Sequence, residues 1–297
     1  MRVRIVYGRA AMASPPLVLL TGAAGQVGTI LRDHWADGRY CLRLADLPAP
    51  TQPEGGRLRT NLAQTLRPHE ELAEFDCSDY GQFRAACEGV HTVIHLAADP
   101  SPSAEFFSSL LERNIIGAYN AFEAAAAAGC RRIVYASSIN AIRGYTDTPP
   151  EWMGDVAVGA RRELGIDARP EPGVHWDDPV MPPNLYGATK CWGEALGRVY
   201  SISRALSCLC VRLGHPGLDM VNLTASTFDV NGGSISPRDC AQLFGRCVDV
   251  ADLPYAIIHG SSEHLDPMMD IQHTKRILGY APQDGTAFAP PEARPKL

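Results

Sequence analysis

Tyr186 and Lys190 stand four residues apart in Tyr186-Gly187-Ala188-Thr189-Lys190, the spacing that places two side chains on one face of a helix. A lysine ammonium beside a phenol favours the phenolate, so Tyr186 can act as a general acid/base near neutral pH, where a free phenol cannot. Such a pair is common by chance, and its weight here comes from its context. Ile133-Val134-Tyr135-Ala136-Ser137-Ser138 reads as a strand ending in hydroxyls. Ser138, at its carboxyl end, can bond a substrate oxygen and steady a developing alkoxide, while Ser137 reads as a hydroxyl that satisfies the strand end.

A second context is Leu19-Leu20-Thr21-Gly22-Ala23-Ala24-Gly25-Gln26-Val27-Gly28, a strand that runs through spaced glycines into a helix. Gly22, Gly25 and Gly28 permit a tight turn and a close backbone approach to a pyrophosphate, with Gln26 and Val27 opening a helix whose free N–H groups face the phosphates. Asp46 follows the second strand, where a carboxylate accepts both adenosine ribose hydroxyls and repels a 2′-phosphate. The residues after it are Leu47 and Pro48, with no arginine, so NAD is expected over NADP. Asp76 and Cys77 end the third strand at the same edge, where Asp76 can accept from the adenine amino group; helix capping is the alternative, a role Asp79 fills better. Leu96, Ala97 and Ala98 end the fourth strand in small residues suited to backbone passing close to a dinucleotide. His95 reads as packed core. A bound nicotinamide would add its positive charge to that of Lys190 in favouring the phenolate.

These residues require a scaffold, and the chain supplies alternating signals for it. Strands are expected at Leu17–Thr21, Cys41–Ala45, Leu72–Phe75, Val93–Leu96, Arg132–Ala136 and Leu206–Leu213. Helices are expected at Gln26–Trp35, at Tyr80–Cys87 with Asp79 at its start, within Glu105–Ala128 up to Gly129, and after Tyr186. The rhythm implies an α/β fold: a doubly wound parallel Rossmann sheet with helices on both faces. Residues 14–213 are expected to form the cofactor-binding domain, interrupted by a Pro- and Gly-rich insertion at 144–183. Beyond Gly214 come a loop to Gly233, a helix near Pro237, a strand at Ala256–His259 and a helix at Asp270–Leu278. This section, 214–297, reads as a small irregular C-terminal substrate-binding region covering one end of the sheet. Residues 1–13 read as a loose tail or an overlong start, with Met12 the alternative start.

Composition limits the partners. In 297 residues, 45% are apolar and 20% charged, with a net charge of −6 and no Lys/Arg run. Nucleic acid and anionic membranes are not expected partners, and no apolar stretch reaches the roughly 20 residues of a membrane helix. The nine cysteines lack any Cys-x-x-Cys pair, so metal ligation and disulfides are not expected. A reducing cytoplasm follows, with Cys208 and Cys210 as small core residues.

The glycine fingerprint, Asp46, Asp76, Leu96-Ala97-Ala98, Asn114, Ser137-Ser138 and the Tyr186/Lys190 pair resemble the extended short-chain dehydrogenase/reductases in order and spacing, over about Leu17 to Tyr280. Thr21-Gly22-Ala23-Ala24-Gly25-Gln26, Arg113-Asn114-Ile115-Ile116-Gly117 and Tyr186 through Cys191 are similar to the uronate dehydrogenase branch, as are Ser236-Pro237-Arg238-Asp239 and Asp270-Ile271 through Leu278-Gly279-Tyr280. The resemblance implies that Ser138 is the catalytic serine, Tyr186 the acid/base, and Lys190 the residue that binds nicotinamide ribose and tunes Tyr186. It also places Asn114 near the active site, Ser101 near substrate, and a homodimer through two central helices. Two departures concern the substrate. Ile139-Asn140 stands where that branch has Asn-His, and His215 stands where it has Ser followed by the Arg that grips the sugar carboxylate. No Lys or Arg occurs in Gly217–Phe228, leaving Arg161 or Arg162 of the insertion as replacements. Asn140 and His215 join Ser101 and Ser138 as candidate substrate contacts.

The expected function is oxidation of a hydroxyl on a small sugar, sugar acid or polyol with hydride passing to NAD. The alternative is a nucleotide-sugar epimerase that retains NAD, disfavoured by the short tail. A dehydratase lacks its Asp-Glu pair in Ser137-Ser138-Ile139-Asn140, and a non-catalytic NAD sensor would not need the intact tyrosine and lysine.

Overall fold

Alternating apolar residues drive the strands together, one set for each face. In strand β1 (Leu17–Thr21), Val18 and Leu20 enter one core cluster and Leu19 the other. The parallel ladder continues through β2 (Cys41–Asp46), β3 (Glu70–Glu74), β4 (Thr92–His95), β5 (Arg132–Ser138) and β6 (Ser207–Leu213). Two short strands, β7 (His215–Pro216) and β8 (Ser234–Ile235), pair with each other in parallel, and β9 (Tyr255–Gly260) returns to the main sheet. The seven-stranded order is β3-β2-β1-β4-β5-β6-β9. Strand direction reverses its order of addition between β1 and β4, which opens a crevice at the carboxyl ends of those strands.

The computed structural model describes residues 15–48, 61–146, 163, 165, 170–216 and 232–288. The 1–13 segment, the Met12 start, Arg161 and Arg162 lie outside the described residues. Helices α1 (Gln26–His34), α5 (Pro237–Asp249) and α6 (Gln272–Leu278) supply Leu31, Phe244 and Leu278 to one core cluster. Helices α2 (Tyr80–Ala86), α3 (Gly117–Ala127) and α4 (Leu185–Ser203) supply Phe83, Phe122 and Leu196 to the other. The expected parallel α/β sheet with helices on both faces is therefore present. Asp79 caps α2 by accepting from Gln82 N, and Gly129, at φ +72°, turns the chain after α3.

Three features depart from the expected elements. The helix within Glu105–Ala128 is two pieces, a π-helical run at Phe106–Ile116 followed by α3. β5 runs two residues beyond Ala136, so Ser137 and Ser138 are ladder residues paired with Arg212 and Leu213. The strand expected in the C-terminal region lies beside β6 in the main sheet, because its run of Ala256, Ile257 and Ile258 buries on both faces. At the amino end of β5, Arg132 is fully buried. Its guanidinium donates to the carbonyls of Cys247, Val250 and Ala251 at 2.7–2.9 Å and to Ser207 Oγ at 2.8 Å, closing the carboxyl end of α5.

Candidate active site

The glycine loop after β1 has no room for side chains. A Cβ on Gly22, which holds φ +70°, would lie 2.8 Å from Ala97 N, and one on Gly28 would lie 2.6 Å from Ala23 Cα. Gly25 is the N-cap of α1 and provides no side-chain cap, so the first-turn N–H groups face the crevice without one. Such a loop and helix start could hold a dinucleotide's phosphates, and the residues present fit NAD. Gln26 donates to Pro216 O at 2.9 Å, joining the helix start to β7, and Val27 packs on the adjoining core cluster. Asp46 ends β2 with its carboxylate turned to the loop, accepting from Ala24 N and Leu47 N, each at 2.9 Å.

Asp76 accepts from Ser78 N and Ser78 Oγ at 2.9 Å, while Asp79 does the capping. Cys77 packs under Gly117, and burial pushes its thiol up to about 11. Leu96 N donates to Thr21 O, and Ala97 N reaches Thr21 Oγ1, so the backbone leading to Ala98 lies beside the glycine loop. His95 is core: it bonds Thr21 Oγ1 at 2.8 Å, lies between the Phe83 and Tyr135 rings, and is held down to about 3 by burial. Asn114 sits in the π-helical run with its amide engaged by protein. Its Oδ1 accepts from Asp99 N at 2.8 Å, and its Nδ2 donates to Asp99 O and Thr189 Oγ1 at 3.1 Å. It ties the loop after β4 to α4. Ser101 continues that loop, with its N–H on Asp99 Oδ1 and its hydroxyl on Ser103.

Asn184 starts α4 as an N-cap, accepting from Gly187 N at 2.7 Å, and so sets Tyr186 and Lys190 in the first turns. The Ser138 side chain favours the ionised form of the Tyr186 phenol. Ser138 Oγ also accepts from Asn140 N at 3.1 Å and Asn140 Nδ2 at 3.3 Å, and Asn140 Oδ1 in turn accepts from Asn184. Ser138, Asn140 and Asn184 are thus one hydrogen-bonded group, with Tyr186 two residues beyond Asn184. Lys190 donates to Ala136 O at 2.9 Å with its ammonium 5.6 Å from the Tyr186 ring centre. Burial brings Lys190 down to about 8. Burial also raises the Tyr186 phenol, which the Ser138 side chain opposes and the Asp99 charge reinforces. Among the protein's own groups burial is the largest influence on the phenol, and it acts against the lowering expected from Lys190 together with the nicotinamide.

Two groups near this centre escaped the sequence reading. Glu194, one helical turn after Lys190, forms a buried ion pair with Arg212 at 2.9 Å through both carboxylate oxygens and accepts from Ser137 Oγ at 2.6 Å. Its Tyr186-to-Glu194 spacing on one helix was visible, but nothing marked Arg212 as its partner. Arg143 occupies a 3-10 turn after Ser138 and meets His215 Nε2. A lone arginine at the mouth of a loop carries no sequence signature.

The NAD dependent epimerase/dehydratase family matches residues 18–217, and the chain belongs to that family. It is 34% identical over 277 residues to the NAD-dependent glucose-6-phosphate dehydrogenase of Haloferax volcanii, covering 91% of this chain and 94% of that one. Uronate dehydrogenase of Pseudomonas putida is 30% identical over 281 residues, covering 94% and 88%. The crystal structure of uronate dehydrogenase from Agrobacterium tumefaciens superposes with a TM-score of 0.69 at 29% identity, covering 93% and 90% of the two chains. A variant of that enzyme has been crystallised in complex with NAD.

Proposed function

We propose that the chain is an NAD-dependent dehydrogenase that oxidises a hydroxyl of a small sugar or sugar acid, the two substrate classes named for its full-length relatives. The observation that carries this reading is the convergence of Ser138, fixed by Asn140, with Tyr186 and the Lys190 ammonium 5.6 Å from its ring, at the strand ends that border the glycine cradle. Gly22, Gly25, Gln26 and Gly28 would hold the cofactor phosphates, Asp46 the adenosine ribose, Asp76 and Cys77 the adenine side, and Leu96 to Ala98 the passing backbone. Bound NAD supplies the hydride acceptor and a positive ring.

Tyr186 takes the substrate hydroxyl proton, and Ser138 holds the same oxygen, fixed by the two N–H groups of Asn140. Tyr186 is the phenolate when it takes this proton, and Lys190 stabilises it in that form until the neutral phenol results. Burial of the pair keeps water from competing for that proton. Asn114 acts by holding Asp99 and Thr189, which frames the crevice from the loop side. Residues 214–297 supply the substrate side through His215.

Incubation with NAD and a panel of aldoses, uronic acids and polyols tests the reading by absorbance at 340 nm. NADH in excess of enzyme is expected, and Tyr186→Phe should lower turnover at least about a hundredfold with NAD affinity nearly unchanged. Substrate interconversion without net NADH would instead establish the epimerase. No helix among the described residues is long and apolar enough to cross a membrane. All nine cysteines are free, which suits a reducing cytoplasm. Exposed Tyr119 on α3 and Trp192, Val199 and Ile202 on α4 offer an apolar face for a homodimer, checked by molar mass from light scattering.

A further inference from the structure

We propose that Arg143 and His215 form a subsite for an anionic group of the substrate, a carboxylate or a phosphate carried by the sugar. The inference rests on the dehydrogenase reading and narrows its substrate class.

The turn that carries Arg143 is built to hold it still. Ile142 and Tyr145 on either side are buried, in an apolar cluster with Met181, Val174, Met268 and Met269. Gly144 N donates to Met181 O at 2.9 Å, Met181 N to Ala141 O at 2.8 Å, and Tyr145 OH to Pro179 O at 3.1 Å. A Cβ on Gly144 would stand 2.7 Å from Met181 O, so the backbone is pressed against its support. Arg143 is the half-buried member of this turn, and its side chain leaves the apolar cluster to meet His215 Nε2.

His215 is placed with equal definition. It lies two residues beyond Leu213, the ladder partner of Ser138. Its N–H donates to Gly233 O at 2.8 Å, and the next carbonyl, Pro216 O, accepts from Gln26 at the start of α1. The pair therefore stands at the carboxyl edge of the sheet, between the strand of the catalytic serine and the start of the cofactor helix. An imidazole nitrogen that accepts one guanidinium N–H fixes the plane of the fork. A fixed, half-buried fork binds carboxylate and phosphate oxygens in two parallel bonds, and an uncharged hydroxyl gains far less from it. Arg143 comes from the turn after β5, whereas the resembling branch places its arginine just after the position of His215, so the same ligand chemistry is met from another strand end.

The test compares the parent with Arg143→Gln, Arg143→Lys and His215→Ala, using glucuronate, glucose 6-phosphate and glucose as substrates. Parent kcat/KM should favour at least one acidic sugar over glucose, and whichever acid is favoured identifies the anion as carboxylate or phosphate. Arg143→Gln should cut that preference about thirtyfold or more, with the loss in KM rather than kcat. Arg143→Lys should recover part of it, and His215→Ala should cut it about fivefold. Calorimetry of NAD binding should place Arg143→Gln within twofold of the parent. A parent that prefers glucose, an equal loss on glucose, or an NAD affinity that falls in step would each overturn the subsite. If the parent makes no NADH from any sugar, the dehydrogenase reading fails. In that case calorimetry of the two acids against the NAD complex decides the subsite: binding weakened tenfold by Arg143→Gln keeps it, and binding unchanged or undetectable removes it.

Discussion

Glu194→Leu is the perturbation whose outcome the geometry constrains best. Glu194 and Arg212 have side chains 7% and 3% exposed, and their two parallel bonds are each 2.9 Å long. Burial works against the Arg212 charge, and the Glu194 bonds and charge outweigh it, leaving the guanidinium more firmly protonated than usual. Removing the carboxylate strands a buried cation whose remaining partners are Trp176 O at 3.3 Å and His259 Nε2 at 3.4 Å. It also strands Ser137 Oγ. Breaking a buried pair costs about 3–5 kcal/mol, because an uncompensated charge remains. Paired replacement by apolar groups of similar volume is close to neutral, so the double variant Glu194→Leu, Arg212→Met should return to within about 2 kcal/mol of the parent, the remainder coming from Ser137 and the Trp176 carbonyl. Equilibrium urea unfolding followed by tryptophan fluorescence measures both. A single variant that loses less than about 1 kcal/mol, or a double variant no more stable than the single, would refute the account of a charge buried at a cost.

Asp46→Ala should weaken NAD about tenfold or more, since a charge-assisted hydrogen bond contributes roughly 1.5–3 kcal/mol, and should narrow the NAD-over-NADP preference measured as a ratio of kcat/KM; a parent that already prefers NADP would contradict it. Lys190→Met should abolish turnover yet stabilise the fold at pH 7. Burial brings the folded lysine down to about 8 from an ordinary 10.5, so below pH 8 the fold carries a buried charge that unfolding would release to water. That penalty, on the order of 2 kcal/mol after allowing for the lost bond to Ala136 O, fades as pH rises from 8 towards 10. Unfolding free energies of parent and variant should therefore converge across that window, and a gap constant with pH would dismiss the idea.

The glycine loop and the helix of Tyr186 and Lys190 were legible in the sequence because each residue there answers to a local rule. Gly22 is required by a positive φ and a backbone 2.8 Å away, and Tyr186 and Lys190 share a face at fixed helical spacing. What was not legible depends on register or on distant partners. The π-helical turns before α3 insert no distinctive residue type, yet they turn Asn114 towards Asp99 and Thr189. Strand β9 was visible as an apolar run, but its place beside β6 is decided by helices that cover both faces, which composition does not report. The two-residue ladder of β7 and β8 has no periodicity to detect. Arg143 was invisible for a related reason: its meaning comes from His215, 72 positions later.

Arg132 has a consequence for how the chain is made. Its guanidinium belongs to β5, near the middle of the sequence, but most of its acceptors are carbonyls of residues 247–251. While a ribosome is still synthesising the second half, β1 to β5 can collapse only with a cation inside and no acceptors for it. Burial of that charge costs several kcal/mol until the carboxyl end of α5 arrives. The early strands are therefore held back from a finished core, and the sheet locks when α5 and then β9 emerge. A nascent chain stalled at residue 240 should stay protease-sensitive through β5, whereas one stalled with residues 1–288 outside the exit tunnel should resist.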